Sequence, residues 1–259
     1  MNTPPLIRSE RRGATAILTL DLPARRNALS LDLRAELERA LAAAMDDPAC
    51  RVVVLTGAGG HFCSGGDISG MDGVAATDAI GRLVGGHAII RTLVEGPKPV
   101  IAAVEGHGAG AGLSLAAACD VVVAGRGAIF TCSFNRIGLV PDLGLAFTLP
   151  LRVGTGRARR MMLTAEPVDA ETAERWGLAE AVVQDGTALE AALALADRVA
   201  LAAPLSNAYA KRLLGRMPTG LDDILKAEAD AQAVLYTTAD FAEGRAAFRE
   251  KRKPLFEGR

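Results

Sequence analysis

Two glycine-rich segments about 45 residues apart contain the residues best suited to chemistry. The first is HFCSGGDI at residues 61–68, and the second is GHGAGAGLSLA at residues 106–116. Each follows an apolar run that is typical of a buried strand. A strand that ends in glycine and opens a helix leaves main-chain N–H groups without intrahelical partners, and glycine lets a ligand approach them closely. The two segments therefore predict a pair of N–H donors aimed at one developing oxyanion.

Other chemistries fit these segments less well. A dinucleotide-binding fingerprint that starts at Gly108 would need glycine where Leu113 stands, and the sequence has no phosphate-binding GK[ST] triplet. Ser114 lies in GLSLA, which is similar to a nucleophile elbow, but all three histidines precede it and the usual order of a hydrolase triad is impossible. We interpret Ser114 as a core-facing hydroxyl at the start of a helix. Cys63 has no nearby base except His61, and a small residue beside a ligand is the better interpretation.

The composition excludes several classes of function. Lys and Arg number 29 against 30 Asp and Glu, and aromatic residues make up only 4%, so neither a basic footprint nor a stacking platform for nucleic acid is expected. The N-terminal segment does not resemble a signal or transit peptide, and no apolar run reaches the roughly 18 residues that span a bilayer. The four cysteines are widely separated, without a CxxC pair. We therefore expect a cytoplasmic protein with reduced thiols that binds neither nucleic acid nor membrane.

The order of the predicted elements indicates an α/β fold. Strands and helices alternate in the first part of the chain, which predicts stacked β/α units with helices covering a mostly parallel sheet. Helices predominate after residue 155, and we divide the chain into a core, 1–200, and a helical C-terminal region, 201–259. The predicted strands are 14–20, 52–56, 99–104, 120–124 and a short one at 179–183, and the predicted helices are 30–45, 78–94, 111–118, 155–163, 169–175, 187–202, 204–216 and one long helix at 221–248.

The two glycine-rich segments and their flanks resemble the enoyl-CoA hydratase/isomerase (crotonase) superfamily. The resemblance is carried by HFCSGGDISGM at 61–71 and PKPVIAAVEGHGAGAGLSLAAACDVVVA at 97–124, and it extends from RRNALS at 25–30 to EKRKPLF at 250–256. It implies a spiral of repeated ββα units, with a helical C-terminal region that builds homotrimers or hexamers that are dimers of trimers. It also implies an acyl-CoA substrate and an enolate stabilised at the thioester oxygen. Coenzyme A is then part of the substrate, and no separate cofactor or metal is expected.

The resemblance also implies roles for residues of this sequence. The two oxyanion donors are the N–H groups of Gly66 and Ala111, where many relatives have glycine at the second position. The coenzyme A end is expected to meet Arg25 or Arg26, with a solvated surface as the alternative for this pair, and the C-terminal segment is expected to reach a coenzyme A in the same or a neighbouring subunit. Asp67 and Asp120 are expected to fix loops. The substrate-binding residues implied in this way are Arg25, Arg26, Ala28, Ser64, Gly65, Gly66, Asp67, Ile68, Gly110, Ala111, Phe134, Pro141, Lys251 and Phe256.

The two glutamates of the family's hydratases are missing. Those enzymes use one carboxylate to activate water and another to deliver a proton to the α-carbon, and the corresponding positions here hold Ser114 and Phe134. Classical hydration is therefore not expected.

One acidic residue stands out instead, Asp142, which follows Pro141 in RIGLVPDLGL. It resembles the acid/base aspartate of the family's double-bond isomerases, the group that includes 2-(1,2-epoxy-1,2-dihydrophenyl)acetyl-CoA isomerase. A single base can move a double bond, and we predict that Asp142 carries a proton between C2 and C4, with its pKa raised by Leu139, Val140 and Leu143. The alternative is that Asp142 caps a helix that begins near Leu143.

Thioester hydrolysis or another acyl-CoA reaction on the same scaffold stays open, as does a role as a non-catalytic binder of coenzyme A esters. The acyl group itself is not identified by the sequence. Two sets of apolar residues are candidates for its surroundings, although the second could equally form a plain helix face. They are Phe134, Leu139, Leu143, Leu145 and Phe147, and then Met71, Val74, Ile80 and Leu83.

Overall fold

The computed structural model describes residues 5–70, 75–216 and 220–259, and these residues form an α/β fold. Strands and helices alternate as far as residue 131, and helices predominate after that. The strands are β1 (Ile7–Arg12), β2 (Thr15–Leu20), β3 (Val52–Gly57), β4 (Val100–Val104), β5 (His107–Ala109), β6 (Val121–Gly125), β7 (Ile129–Thr131), β8 (Val168–Asp169) and β9 (Ala181–Val183). The α-helices are α1 (Leu31–Asp46), α2 (Ala76–Glu95), α3 (Ala111–Ala118), α4 (Leu145–Val153), α5 (Thr155–Thr164), α6 (Ala170–Trp176), α7 (Ala188–Ala200), α8 (Pro204–Leu214), α9 (Leu221–Leu235) and α10 (Ala239–Glu250).

The main sheet has six strands in the order β1-β2-β3-β4-β6-β9, and every neighbouring pair except β1–β2 is parallel. Its central strands, β3 and β4, are almost wholly buried and uniformly apolar, which is what a parallel sheet covered on both faces requires. One face packs on α7, and the larger core on the other face includes residues of α1, α2 and α3. The predicted α/β fold with a mostly parallel sheet is confirmed.

A second, three-stranded sheet, β5-β7-β8, lies beside the main one, and the sequence did not predict it. Its strands are only two or three residues long, too short to show a hydrophobic period. This small sheet directs the chain from β5 into the second glycine-rich turn. Gly110 donates its N–H to the carbonyl of Thr131 at the end of β7, at 2.9 Å.

Three predicted elements need correction. The polar N-terminal segment forms β1, paired antiparallel with β2. The helix expected at 221–248 is two helices, α9 and α10, because Thr238 takes an extended conformation and its hydroxyl accepts the N–H of Phe241 as an N-cap. The helix expected near Leu143 begins instead at Leu145. Among the described residues, no helix combines the length and the apolarity needed to cross a bilayer.

The first glycine-rich turn pairs with β5 as if it were a short strand. Cys63 donates its N–H to the carbonyl of His107 at 2.9 Å, and Ala109 donates its N–H to the carbonyl of Cys63 at 3.0 Å. The two segments run parallel, with Cys63 opposite Gly108. Gly112 makes this approach possible, since a Cβ at that position would lie 2.3 Å from the carbonyl oxygen of Cys63.

Replacing Gly112 by alanine should therefore force the two turns apart. We expect Gly112→Ala to destabilise the protein by about 1–3 kcal/mol, the usual cost of overpacking a tight interior. The matched control is Gly156→Ala, because an added Cβ on α5 meets nothing within 4 Å. That variant should change stability by less than about 1 kcal/mol, in the stabilising direction. Urea unfolding of both variants checks the difference, and equal stability would contradict the close approach.

Candidate active site

The two predicted donors, Gly66 and Ala111, lie at the ends of the paired turns. Each stands three residues beyond its member of the Cys63–Gly108 pair, so the parallel register brings them alongside each other. The backbones are in contact at this point, since a Cβ on Gly110 would lie 3.5 Å from the Cα of Gly65. Within the described residues, neither donor's N–H has a hydrogen-bond acceptor. Two free N–H groups on adjacent turns are the arrangement that an oxyanion hole needs.

Glycine conformations shape both turns. Gly65 has φ +120° and Gly110 has φ +51° and ψ −119°, values that side-chain-bearing residues rarely adopt. Ala111 is the first residue of α3 and is not among the residues with positive φ. Its Cβ therefore carries no penalty, and its departure from the family's glycine leaves the N–H in place. The N-terminus of α3 adds its own partial positive charge there.

Asp142 lies in the loop before α4. Ser114, fully buried on α3, donates its hydroxyl to the main-chain carbonyl of Asp142 at 3.0 Å, which ties this loop to the helix that presents Ala111. The carboxylate itself is not used in this way, because its buried Oδ1 has no hydrogen-bond partner among the described residues. A buried carboxylate oxygen without a structural partner is costly, so a role in binding or chemistry is the better explanation.

The helix-cap alternative for Asp142 is wrong. Gly144 occupies the N-cap position of α4, and no side chain caps this helix. The predicted source of burial is also partly wrong, since Leu139 is exposed and Val140 is 80% exposed, whereas Leu143 is buried. A Cβ on Gly86 of α2 would lie 2.7 Å from Leu143, so α2 covers this side of the loop.

Burial raises the pKa of Asp142, and the charge of Arg34 opposes the shift. His87 on α2 opposes it less strongly, and it is exposed. An aspartate with a raised pKa is a stronger base than one in water, and it can both accept a proton and return it.

The other candidate nucleophiles and acids are inert in this structure. Ser114 is held by the carbonyls of Gly110 and Asp142, as a core-facing hydroxyl is expected to be. Burial raises the pKa of Cys63 to about 11, so its thiol stays protonated at neutral pH and is a poor nucleophile. Phe134 is buried beside the site and brings no acid to it.

The predicted coenzyme A side of the site is a polar loop. Arg25 forms an ion pair with Asp67 at 2.7 Å, and Asp67 also accepts the N–H and hydroxyl of Ser69, which fixes the first turn. The N–H groups of Ala28 and Ser64 are already bonded to the carbonyls of Arg25 and Arg26. Their main-chain N–H groups are therefore engaged within the loop, and the carbonyl of Ala28 also accepts the N–H of Ser30.

Several of the predicted substrate-binding residues are exposed to solvent. The second set of acyl-group candidates lies partly outside the described residues. Arg26 and Ile68 are exposed, and Pro141 is half-buried next to Asp142. In the acyl-group candidates, Leu145 and Leu143 are buried whereas Leu139 and Phe147 are exposed. Met71 and Val74 lie outside the described residues, and Ile80 and Leu83 are exposed on α2.

Phe256 does not reach the first turn of its own chain. Its carbonyl accepts a hydrogen bond from Arg51, which precedes β3, whereas the first turn follows the opposite end of that strand. A contact of Phe256 with a coenzyme A bound to its own or a neighbouring subunit stays a prediction. Lys251 ends α10 and is exposed.

Two residues of the site were not predicted. Asn27 is fully buried, and its amide accepts the N–H of Leu22 and donates to the carbonyls of Ala58 and His61, which joins three loops under the first turn. It stands in the RRNALS segment, and only its contacts reveal this role. Arg34 is an almost buried arginine on α1, in a position that the helical period assigns to the core. A charged residue on a core-facing stripe is the signal that could have found it.

The fold is that of a family of enzymes that act on thioesters. The sequence matches the family described as Enoyl-CoA hydratase/isomerase over residues 10–259. It is 36% identical to 1,2-epoxyphenylacetyl-CoA isomerase of Escherichia coli over 93% of this chain and 94% of that protein. It is 41% identical to a "Probable enoyl-CoA hydratase" of Rhodobacter capsulatus over 98% of both chains.

A solved structure shares the whole fold. The crystal structure of an enoyl-CoA hydratase from Polaromonas superposes with a TM-score of 0.92 at 37% identity, covering 96% of this chain and 99% of that one. The chain belongs to the enoyl-CoA hydratase/isomerase family, whose members act on acyl-CoA thioesters.

The raised pKa of Asp142 predicts how stability depends on pH. Because burial disfavours the ionised form, ionisation of Asp142 costs stability, and this cost is present above its folded pKa and absent below its unfolded value of about 4. Asp142→Asn should therefore raise the thermal midpoint at neutral pH, and the difference should vanish below about pH 4.

Asp169→Asn is the control for loss of one negative charge. Hydrogen bonds from Thr172 lower the pKa of Asp169, so its ionised form stabilises the fold, and that stability is lost as pH falls. The control should lower the neutral-pH midpoint slightly. Thermal melts between pH 3 and pH 8 compare the two variants, and a destabilised Asp142→Asn at neutral pH would contradict the sign.

Proposed function

We propose that this protein is a double-bond isomerase of enoyl-CoA thioesters, ring-epoxide acyl-CoA included, that uses Asp142 as its single acid/base. The observation that carries the proposal is the carboxylate of Asp142, buried beside the paired turns without any structural hydrogen bond on its Oδ1. Loss of both hydratase glutamates at Ser114 and Phe134 points the same way, because hydration needs two acid/base groups and isomerisation needs one.

The reaction balances with these groups alone. The ionised carboxylate of Asp142 takes a proton from C2 of a 3-enoyl-CoA, and the released electron pair is shared between the thioester oxygen and C4 in a dienolate. The N–H groups of Gly66 and Ala111 stabilise that oxyanion. Asp142 then returns the proton to C4, which leaves a 2-enoyl-CoA. Coenzyme A leaves unchanged with the product, and the reaction needs no cofactor or metal.

Hydration is the second candidate, because a relative with 41% identity is named a "Probable enoyl-CoA hydratase". For that reaction Asp142 would have to activate water without a second carboxylate, since no other acid among the described residues affects its pKa. The two reactions differ in mass: hydration adds one water, and isomerisation adds nothing.

The activity test follows a panel of 2-enoyl-, 3-enoyl- and ring-epoxide CoA thioesters by ultraviolet absorbance and mass spectrometry. We expect wild type to convert 3-enoyl-CoA to 2-enoyl-CoA without a mass change. Asp142→Asn should lower kcat by at least about a thousandfold while the Kd of the ester changes little, since the amide keeps the shape but cannot take a proton. Asp169→Asn should keep wild-type turnover. Undiminished isomerisation by Asp142→Asn would remove Asp142 from the mechanism.

We further propose assembly into homotrimers, or hexamers of paired trimers. The support is apolar surface around the C-terminal helices: Phe248 is 86% exposed and Leu214 and Leu221 are also largely exposed. In such an assembly, Lys251 and Phe256 would meet a coenzyme A bound to a neighbouring subunit.

Sedimentation velocity tests the assembly. A trimer or hexamer at micromolar concentration is expected, and Phe248→Asp should lower the oligomeric mass because it places a charge on the apolar surface. Phe147→Asp, at a phenylalanine on α4 that is 42% exposed, is the comparison for surface charge in general. A wild-type monomer would contradict the proposal.

A further inference from the structure

Arg34 is the buried charge that the isomerase mechanism does not use. Its side chain is 9% exposed, on a helix whose other buried residues are apolar. Its Nη1 donates a long hydrogen bond, 3.4 Å, to the carbonyl of Arg82, and its buried Nε has no acceptor among the described residues. Burying a guanidinium with an unused N–H is expensive unless something binds it.

The guanidinium of Arg34 faces the same site as Asp142. Each affects the other's pKa through its charge, and Cys63 of the first turn also lies within reach of Arg34. No carboxylate oxygen of the described residues lies within 4.0 Å of Arg34, so the two charges attract without forming an ion pair. A donor, Nε–H, and an acceptor, Oδ1 of Asp142, are both buried and both unpartnered on one side of the site.

An oxygen atom of the substrate fits this donor. A Cβ on Gly86 would lie 3.8 Å from Nη1 of Arg34 and 2.7 Å from Leu143, so the guanidinium lies beside the apolar residue that follows Asp142. Acyl carbons within reach of Asp142 would therefore also lie near Arg34. A purely hydrocarbon acyl group would leave its N–H unsatisfied, whereas an oxygen substituent would accept it.

The substrate oxygen that fits beside Arg34 is an uncharged one. Asp142 must be ionised to take a proton, and a carboxylate on the acyl group would place a second anion beside it and favour its protonated form. Among the described residues, the other ionisable groups near the pair are the Cys63 thiol, which stays protonated, and the basic Arg82 and His87 on α2.

We propose that the Nε–H of Arg34 donates a hydrogen bond to a neutral oxygen of the acyl group, and that the preferred substrates are acyl-CoA thioesters with a hydroxyl, ether, epoxide or carbonyl oxygen. This specificity rests on the proposed isomerase function. Arg34 is then a substrate-contacting residue, and its effect depends on whether the substrate has the oxygen.

The test uses matched 3-enoyl-CoA esters. One is 3-nonenoyl-CoA, and three analogues have an ether oxygen in place of the methylene at position 6, 7 or 8. We expect wild type to prefer at least one ether ester, and Arg34→Met to lower kcat/KM for that ester about tenfold or more beyond any loss on the plain ester. Equal losses on all four esters would mean that Arg34 acts only on Asp142, and would overturn the proposal.

Arg34→Lys and Arg34→Gln accompany Arg34→Met. Lysine keeps the charge without the Nε–H, so it should retain turnover of the plain ester and lose the preference for the ether ester. Glutamine keeps a neutral N–H donor and should retain part of the preference. Thermal melts report folding, and if Arg34→Met does not fold, these two variants decide the question by the same comparison.

A binding measurement separates this proposal from the isomerase function. The saturated ether ester, its plain counterpart and a carboxylate-ended ester of equal length do not isomerise, and calorimetry gives their Kd values for wild type and Arg34→Met. Wild type should bind the ether ester most tightly and lose that advantage in Arg34→Met. Equal affinity for the ether and plain esters, or strongest binding of the carboxylate, would overturn the proposal even if the isomerase activity is present. Failure to turn over any 3-enoyl ester would remove the isomerase function and leave this comparison valid.

Discussion

The parallel pairing of Cys63 with Gly108 is the contact on which the rest of the site depends. It makes the first glycine-rich turn an extra strand of the small sheet, and it sets the register in which Gly66 and Ala111 come together. Two glycines of the second segment serve this contact: a Cβ on Gly112 would strike the Cys63 carbonyl, and one on Gly108 would press on Phe130 at 3.3 Å. The proposed oxyanion hole would therefore depend on main-chain packing, which a side chain added at either glycine would disturb.

Burial affects the pKa of Asp142 more than any charged neighbour does. Desolvation raises the pKa of Asp142, and Arg34 works against it from beyond ion-pair distance. The carbonyl of Asp142 is fastened by Ser114 while Oδ1 stays unbonded. The loop of Asp142 is thus held through its main chain, and the carboxylate stays free to bind a ligand. Such a buried, unbonded group lowers the stability of the fold, as is common at functional sites.

Shared fold does not settle the reaction within this family. The relatives most similar to this chain include one named as an isomerase and one named as a hydratase, at comparable identity and coverage. What distinguishes reactions on this scaffold is the set of acid/base groups beside the oxyanion hole. Here Ser114 holds the loop of Asp142, and Phe134 is apolar. Asp142 has a carboxylate oxygen that is buried and without a hydrogen-bond partner among the described residues.

The sequence by itself determined the α/β architecture, the two glycine-rich turns and the prominence of Asp142, because buried parallel strands are continuous apolar runs and glycine marks tight turns. The local pattern predicted a single helix at 221–248, which Thr238 divides as the N-cap of α10. It also offered Asp142 as a helix cap, a position that Gly144 occupies. Only the tertiary structure decided that the two turns share a register and that Arg34 of α1 faces Asp142. Both facts depend on contacts between segments far apart in the chain, and spacing along the sequence carries no information about which atoms those contacts leave unpaired.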